Sequence, residues 1–392
     1  MYTPASFELS TFTYRIVSTT GTHTSIPFLD LSRQHREVEA EIIAAISKVI
    51  SRSTFVLGNE VSCFEAEWAA YCGTLGCAAV ANGTDAICLS LLASGVVTPG
   101  NGDEVITSSI SAGYTALAIL QAGAVPVFVD VDRETLLVDP ASVERSITQL
   151  TKAIVPVHLY GQICDIDAIS AIALRHGLSV IEDAAQAHGA WRNESSGFDR
   201  IGAFSFYPTK NLGACGDGGA VVSNDMEFIQ RIKCLRQGGH QAALAQPITG
   251  RNSRLDEIQA AVLRIKLGRL DEWNQGRSRL ADNYDQILSS LEGVEPLKRN
   301  PRDRHADHLY VVKTRRRNEL RAFLQNRSIE TAVHYPVPLN HEPLFMLEGR
   351  AAADITVADE VSSQILSLPL NSHSFDWEIE AVAQAILEFE RQ

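Results

Sequence analysis

Seven short runs of β-branched and aliphatic residues predict an α/β chain built on a large, mostly parallel seven-stranded sheet. They lie at 77–81, 104–107, 126–130, 153–158, 178–183, 202–206 and 219–223, separated by roughly one helix each. The runs are apolar on both faces, as strands covered by helices on either side must be. The chain has 392 residues, 45% of them hydrophobic, which is enough for a large core and for two or three domains of ordinary size. After Gly293 the pattern changes to alternating short strands and helices, the style of a smaller α+β unit.

Along the chain, residues 1–25 are rich in Thr and Ser without periodicity and lack the basic start and apolar centre of a secretion signal, so they are expected to form an extension. Residues 26–270 are expected to form the large domain and 271–392 the small one. Apolar residues at helical spacing predict one long helix over 255–291. Beyond it, 309–313, 331–334 and 364–370 read as strands, and 318–325 and 377–391 as helices.

The net charge of −13 argues against a protein that works by general attraction to nucleic acid or anionic membrane. No apolar run reaches the ~20 residues of a membrane helix. Seven cysteines, none in a Cys-x-x-Cys pair, suit reduced and mostly buried thiols in a cytoplasmic protein.

The chemistry concentrates where the strands end, the place at which ligands collect in sheets of this kind. One strand runs into Glu182-Asp183-Ala184-Ala185-Gln186, and 27 residues after Asp183 comes Lys210, in Ser205-Phe206-Tyr207-Pro208-Thr209-Lys210-Asn211. A lysine amine and an acid delivered to one pocket are what pyridoxal phosphate requires. The amine forms a Schiff base with its aldehyde, and the acid keeps its pyridine nitrogen protonated. Asp183 taken alone reads equally as a Mg²⁺ ligand or a helix cap, and a lone lysine is ordinarily a surface group. Gln186 is placed to hydrogen-bond the cofactor's phenolic oxygen or to pack on its ring. Asn82-Gly83-Thr84-Asp85 follows a strand and opens a helix, so its free N–H groups suit a phosphate; the plain alternative is a turn capped by Thr84. Ser205 can offer a hydroxyl to the same phosphate. Gly216-Asp217-Gly218-Gly219 precedes a strand, unlike a dinucleotide fingerprint, and reads as a tight turn passing close to the cofactor.

Taken in order, Asn82-Gly83-Thr84-Asp85-Ala86, His158-Leu159-Tyr160-Gly161-Gln162, the Asp183 and Lys210 segments, the Gly216 turn and Asn252-Ser253-Arg254-Leu255-Asp256-Glu257 resemble the motif series of the nucleotide-sugar aminotransferases (DegT/DnrJ/StrS family). The likeness runs from Ile26 to the C-terminal helix. It implies an aspartate-aminotransferase-like fold (fold type I), pyridoxal 5'-phosphate as cofactor, and a homodimer with shared active sites. The implied reaction moves an amino group from glutamate to a keto sugar carried on a nucleotide diphosphate. By that resemblance Lys210 carries the cofactor, Asp183 holds its ring nitrogen, and Gln186 neighbours its ring. Gly83, Thr84 and Ser205 bind its phosphate, and Asn252 reaches the cofactor phosphate of the partner subunit.

Lysine at 210 favours transamination over the sugar dehydratases of the family, which carry histidine there. The wording of the motifs is most similar to members that aminate dTDP-linked 3-keto-6-deoxyhexoses. His334 and Tyr335 match a motif near the sugar pocket, and Arg254 is placed to meet a carboxylate or diphosphate. Two positions depart from the family pattern. Ala112 stands where many members place an aromatic residue on the cofactor ring, with Tyr114 available to fill the space. Arg251 replaces a common tyrosine and bears on recognition of the sugar or donor. A catalytically silent regulatory or sugar-sensing relative is the reading from another class, and a nicotinamide oxidoreductase is disfavoured by the lack of a glycine fingerprint after the first strand.

Overall fold

The computed structural model describes residues 25–192, 201–239, 248–301 and 303–392, so all but the last residue of the expected extension lies outside the described residues. Eleven strands and thirteen α-helices follow in order among them. Helices α1 (Leu31–Arg52) and α2 (Asn59–Tyr71) precede β1 (Gly76–Val80), α3 (Gly83–Ser94), β2 (Glu104–Ser108), α4 (Tyr114–Gln121), β3 (Val125–Val129) and α5 (Pro140–Arg145). Then come β4 (Thr151–Val155), α6 (Ile166–His176), β5 (Ser179–Asp183), β6 (Ile201–Ser205), β7 (Gly219–Ser223), α7 (Met226–Leu235), α8 (Glu257–Leu267) and α9 (Leu270–Leu288). The C-terminal part holds β8 (Glu295–Pro296), β9 (Tyr310–Lys313), α10 (Arg317–Gln325), α11 (Pro343–Glu348), β10 (Arg350–Ala351), α12 (Val357–Val361), β11 (Ile365–Leu368) and α13 (Asp376–Glu390).

All seven expected strands form, and they join one sheet in the order β1-β7-β6-β5-β4-β2-β3-β10. Only β7 runs antiparallel to its neighbours. An eighth strand corrects the expected seven: β10 pairs parallel with β3, held by Arg350, whose guanidinium meets Glu104 at 2.9 Å. Two residues are too few to show a strand pattern. One apolar layer, with Val80, Leu89, Val105, Ile181 and Ile229, packs against α3, α4 and α7. On the other face Phe64, Trp68, Phe204 and Leu263 bring in α2 and α8.

The long helix expected over 255–291 is two helices, α8 and α9, separated at Gly268 and Arg269. Both keep an apolar face toward the core, so periodicity runs on through the break. Residues 331–334 make only one bridge, Ala332 to Ser367, and no strand. Pro336 and Pro338 follow directly and remove the N–H groups a ladder would need. The second sheet is three strands, β11-β9-β8, packed with α9, α10 and α13 around Tyr284, Val312, Leu366 and Ile386. Ile26 joins this cluster by pairing with Ile329, although it precedes α1.

Among the described residues no helix is long and apolar enough to cross a membrane, and no group of His, Cys, Asp and Glu could hold a metal ion. The seven cysteines are free thiols, five of them buried.

Candidate active site

Four strand ends converge on one edge of the sheet. The turn after β1 carries Asn82, whose side chain accepts the Asp85 N–H at 2.8 Å and so caps α3. The cap is thus Asn82, and Thr84 is not needed for it. Gly83 lies directly against Ser205 at the end of β6: a Cβ on Gly83 would stand 2.7 Å from the Ser205 Cβ. Gly219, opening β7, approaches Asn82 so closely that a Cβ would lie 2.3 Å from its carbonyl oxygen. The three segments leave a narrow backbone cradle at the N-terminus of a twelve-residue helix, where free N–H groups and the helix dipole favour an anion.

Asp183 ends β5 and is buried. Its Oδ2 accepts from the Thr115 hydroxyl at 2.7 Å and its Oδ1 from the Ala185 N–H at 3.1 Å. Burial raises its pKa, while those two donors and the charge of Lys210 act in the opposite direction. Lys210 is partly buried in a loop closed by the bond from its own N–H to the Tyr207 carbonyl. Removal from water lowers its pKa to about 8, against the attraction of Asp183. The two groups therefore feel each other's charge across the site, and the amine gives up its proton more readily than an ordinary lysine, as a nucleophile must.

Around Lys210 stand histidines that sequence reasoning had not assigned to it. His188 is buried among Trp68, Phe204 and Phe206, and burial with the Lys210 charge lowers its pKa to about 3. His308 donates from Nδ1 to Asn211 Oδ1, because the Asn211 amide nitrogen is already committed to Asn274 and the Ala306 carbonyl. His334 contacts Ser367 Oγ at 2.8 Å and is lowered to about 4, again by burial and Lys210. Neutral rings leave the amine and Asp183 as the charges of the site. Thr115, Asn211 and His308 touch the expected residues only through the fold; direct adjacency to Tyr114 and Lys210 was the one signal available for the first two.

Gln186 is buried, its Oε1 accepting the Tyr160 N–H at 2.7 Å and its Nε2 donating to the Tyr335 hydroxyl at 3.1 Å. One amide hydrogen remains for another partner. Behind Asp183, His158 accepts the Cys164 N–H at Nδ1, so its Nε2 carries the proton toward Glu182, 2.8 Å away.

The structure thus brings together Gly83 with Ser205, Asp183 with Lys210, and Gln186 with Tyr335. Other expected residues lie outside this hydrogen-bonded set. The Arg251 guanidinium meets Asp85 at 3.5 Å and the Gln121 carbonyl at 3.2 Å, which ties it to the flank of α3 and α4 within its own chain. Arg254 and Asn252 are exposed. Tyr114 opens α4 with 67% exposure, and beside it Ala112 is half-buried. Asp130, another acid at a strand end, accepts from the N–H groups of Thr356, Val357 and Ala358 and caps α12.

A model of the DegT/DnrJ/EryC1/StrS aminotransferase family matches residues 36–387. The chain belongs to this family. It is a pyridoxal-phosphate-dependent transferase of fold type I, and the cradle at Gly83, the carboxylate at Asp183 and the amine at Lys210 fit phosphate, ring nitrogen and aldehyde of that cofactor. Two relatives are similar to this chain over most of its length. A dTDP-3-amino-3,4,6-trideoxy-alpha-D-glucose transaminase of Streptomyces venezuelae is 45% identical over 89% of this chain and 92% of its own. A pleiotropic regulatory protein of Geobacillus stearothermophilus is 42% identical over 94% of this chain and 99% of its own. The crystal structure of S. venezuelae DesV in complex with a ketimine intermediate superposes with a TM-score of 0.90 at 42% identity, covering 94% of this chain and 99% of that one. NtdA of Bacillus subtilis, solved with bound cofactor PMP, gives 0.86 at 31% identity, covering 96% and 87%.

Proposed function

We propose that this aminotransferase moves an amino group from L-glutamate to a keto sugar carried on a nucleotide diphosphate, with a dTDP-linked 3-keto-6-deoxyhexose as the preferred acceptor. The reading is carried by one observation: the Lys210 amine, its pKa lowered by burial to about 8, shares the site with a buried carboxylate that two donors keep in place. The resemblance of the chain to the S. venezuelae transaminase supports the acceptor. Bound pyridoxal phosphate supplies an electron sink for the carbon that gains or loses nitrogen. Lys210 Nζ would hold the cofactor's aldehyde, and the same amine would serve as the acid and base that moves a proton at that carbon. Asp183 keeps the proton on the ring nitrogen. The Gly83 turn, Thr84 and Ser205 bind the phosphate, Gln186 borders the ring, and Asn252 serves the site of a partner subunit in a homodimer. His334 and Tyr335 face the sugar, while Tyr114, Arg251 and Arg254 are assigned to substrate recognition at the mouth. We also assign the division between large and small domains to residue 270, and the protein to the cytoplasm.

A regulatory relative is the second reading, motivated by the name of the Geobacillus protein. One experiment separates the two. Purified protein is loaded with pyridoxal phosphate and mixed with glutamate, then with a panel of nucleotide-linked keto sugars. Loss of the visible cofactor band with glutamate and its return with a dTDP-linked 3-keto sugar is the expected result. A band that glutamate leaves unchanged would favour the regulator.

A further inference from the structure

Tyr160 lies in the turn that follows β4 and is buried, with φ 61° and ψ 7°. That is the left-handed region, unfavourable for a bulky side chain, and such strain persists only where the surroundings over-determine it. Here they do. Its N–H donates to Gln186 Oε1 at 2.7 Å, and its carbonyl accepts the N–H groups of His308 and Leu309 at 3.0 and 3.3 Å. Its hydroxyl donates to the His334 carbonyl at 2.5 Å. Gly161, at φ 94°, permits the approach: a Cβ there would lie 2.8 Å from the N–H nitrogens of Asp307 and His308.

These bonds close a ring. Tyr160 N–H fixes the Gln186 amide, the other end of that amide donates to the Tyr335 hydroxyl, and Tyr335 is joined through its peptide bond to His334, whose carbonyl returns to the Tyr160 hydroxyl. The ring spans three chain segments and joins the Gln186 turn of the large sheet to the His334–Tyr335 segment of the C-terminal part. Tyr160 contributes two of the ring's three hydrogen bonds, so the register between the two sides depends on it.

We propose that Tyr160 is a positioning residue for the sugar substrate: its hydroxyl holds the His334–Tyr335 main chain in register with Gln186, and so fixes the sugar-facing wall relative to the cofactor-facing one. The proposal rests on the reading of His334 and Tyr335 as facing the sugar. It is tested with the holoenzyme and its Y160F, Y335F and double variants. The probes are dTDP-3-amino-3,6-dideoxyglucose with 2-oxoglutarate in the reverse direction, and amide hydrogen exchange of the His334–Tyr335 segment without substrate. Y160F is expected to raise the KM for the amino sugar roughly five- to tenfold, the factor carried by one buried neutral hydrogen bond, with a smaller change in kcat and in the KM for 2-oxoglutarate. Exchange of the segment should speed up by a similar factor. In the double variant the second substitution should add less than it does alone, since both break one ring. Unchanged exchange in Y160F, equal rises in both KM values, or fully multiplicative effects would each overturn the role of Tyr160. A wild-type enzyme that ignores the amino sugar while Y160F still loosens the segment would reject the substrate reading and leave the ring standing.

Discussion

Lys210 has a pKa of about 8 in the folded chain against 10.5 for the ordinary side chain, through burial first and despite Asp183. A lysine depressed in this way binds fewer protons folded than unfolded between those two values. Its cost to stability is therefore full below about pH 8 and fades as the pH rises through about 10.5. Lys210→Met, which keeps the bulk and removes the charge, should make the cofactor-free protein more stable than wild type by about 1–2 kcal/mol at pH 7. Urea unfolding at pH 7, 8.5 and 10 checks this, and a gap that does not close with pH would rule it out. The same variant should bind pyridoxal phosphate without becoming labelled by borohydride. Asp183 makes the complementary case. Asp183→Asn retains the bulk but loses the charge that holds a proton on the ring nitrogen, so kcat should fall by about two to four powers of ten. Thr115→Val removes one of its two hydrogen bonds. It should cost about tenfold, with the loss appearing in kcat rather than in cofactor affinity when single turnovers with glutamate are followed.

The tight packing of helix α3 against the end of β6 makes the cradle specific to glycine. Gly83→Ala would force a Cβ to within 2.7 Å of Ser205 Cβ, between a helix start capped by Asn82 and a strand paired in the sheet. Cofactor affinity should weaken about tenfold, and the fold should lose about 1–3 kcal/mol, measured by fluorescence titration and by thermal melting. The strands and the Lys210 loop were legible from sequence because each is a local pattern: a run apolar on both faces, or a motif within nine residues. Asp130 shows what local pattern cannot supply. It ends a strand as Asp183 does, yet its carboxylate caps α12, more than 220 residues along the chain, as the 226-residue separation from Thr356 records. Nothing near Asp130 in sequence announces that partner. The break between α8 and α9 and the two-residue β10 escaped for related reasons: burial on one face continues across the first, and the second has no length in which to alternate. Thr115 and His308 become part of the site only when β5, α4 and the segment before β9 meet.

At the scale of the whole molecule, rings at the mouth of the site stand open to solvent among the described residues. Tyr114, next to the Thr115 that bonds Asp183, is 67% exposed, and Tyr207, in the Lys210 loop, 45%. Asn252, assigned to a cofactor phosphate, is exposed as well. Large apolar rings beside a reaction centre ordinarily exclude water, and a second copy of the chain seated over this mouth would bury them and carry Asn252 into the opposite site. If each site takes Lys210 from one subunit and Asn252 from the other, two inactive variants should rescue each other. Lys210→Met lacks the amine, and Asn252→Asp places a carboxylate against the phosphate. In a mixed dimer both defects fall in one site, which leaves the other with a wild-type lysine and a wild-type asparagine. Random reassortment of equal amounts makes about half of the dimers mixed, each with one intact site, so activity should return to roughly a quarter of the wild-type value. The variants would be mixed in mild denaturant, refolded together and assayed against each variant refolded alone. Recovery no greater than the average of the two would place Asn252 in the same subunit's site, whereas recovery near a quarter requires that the sites be shared.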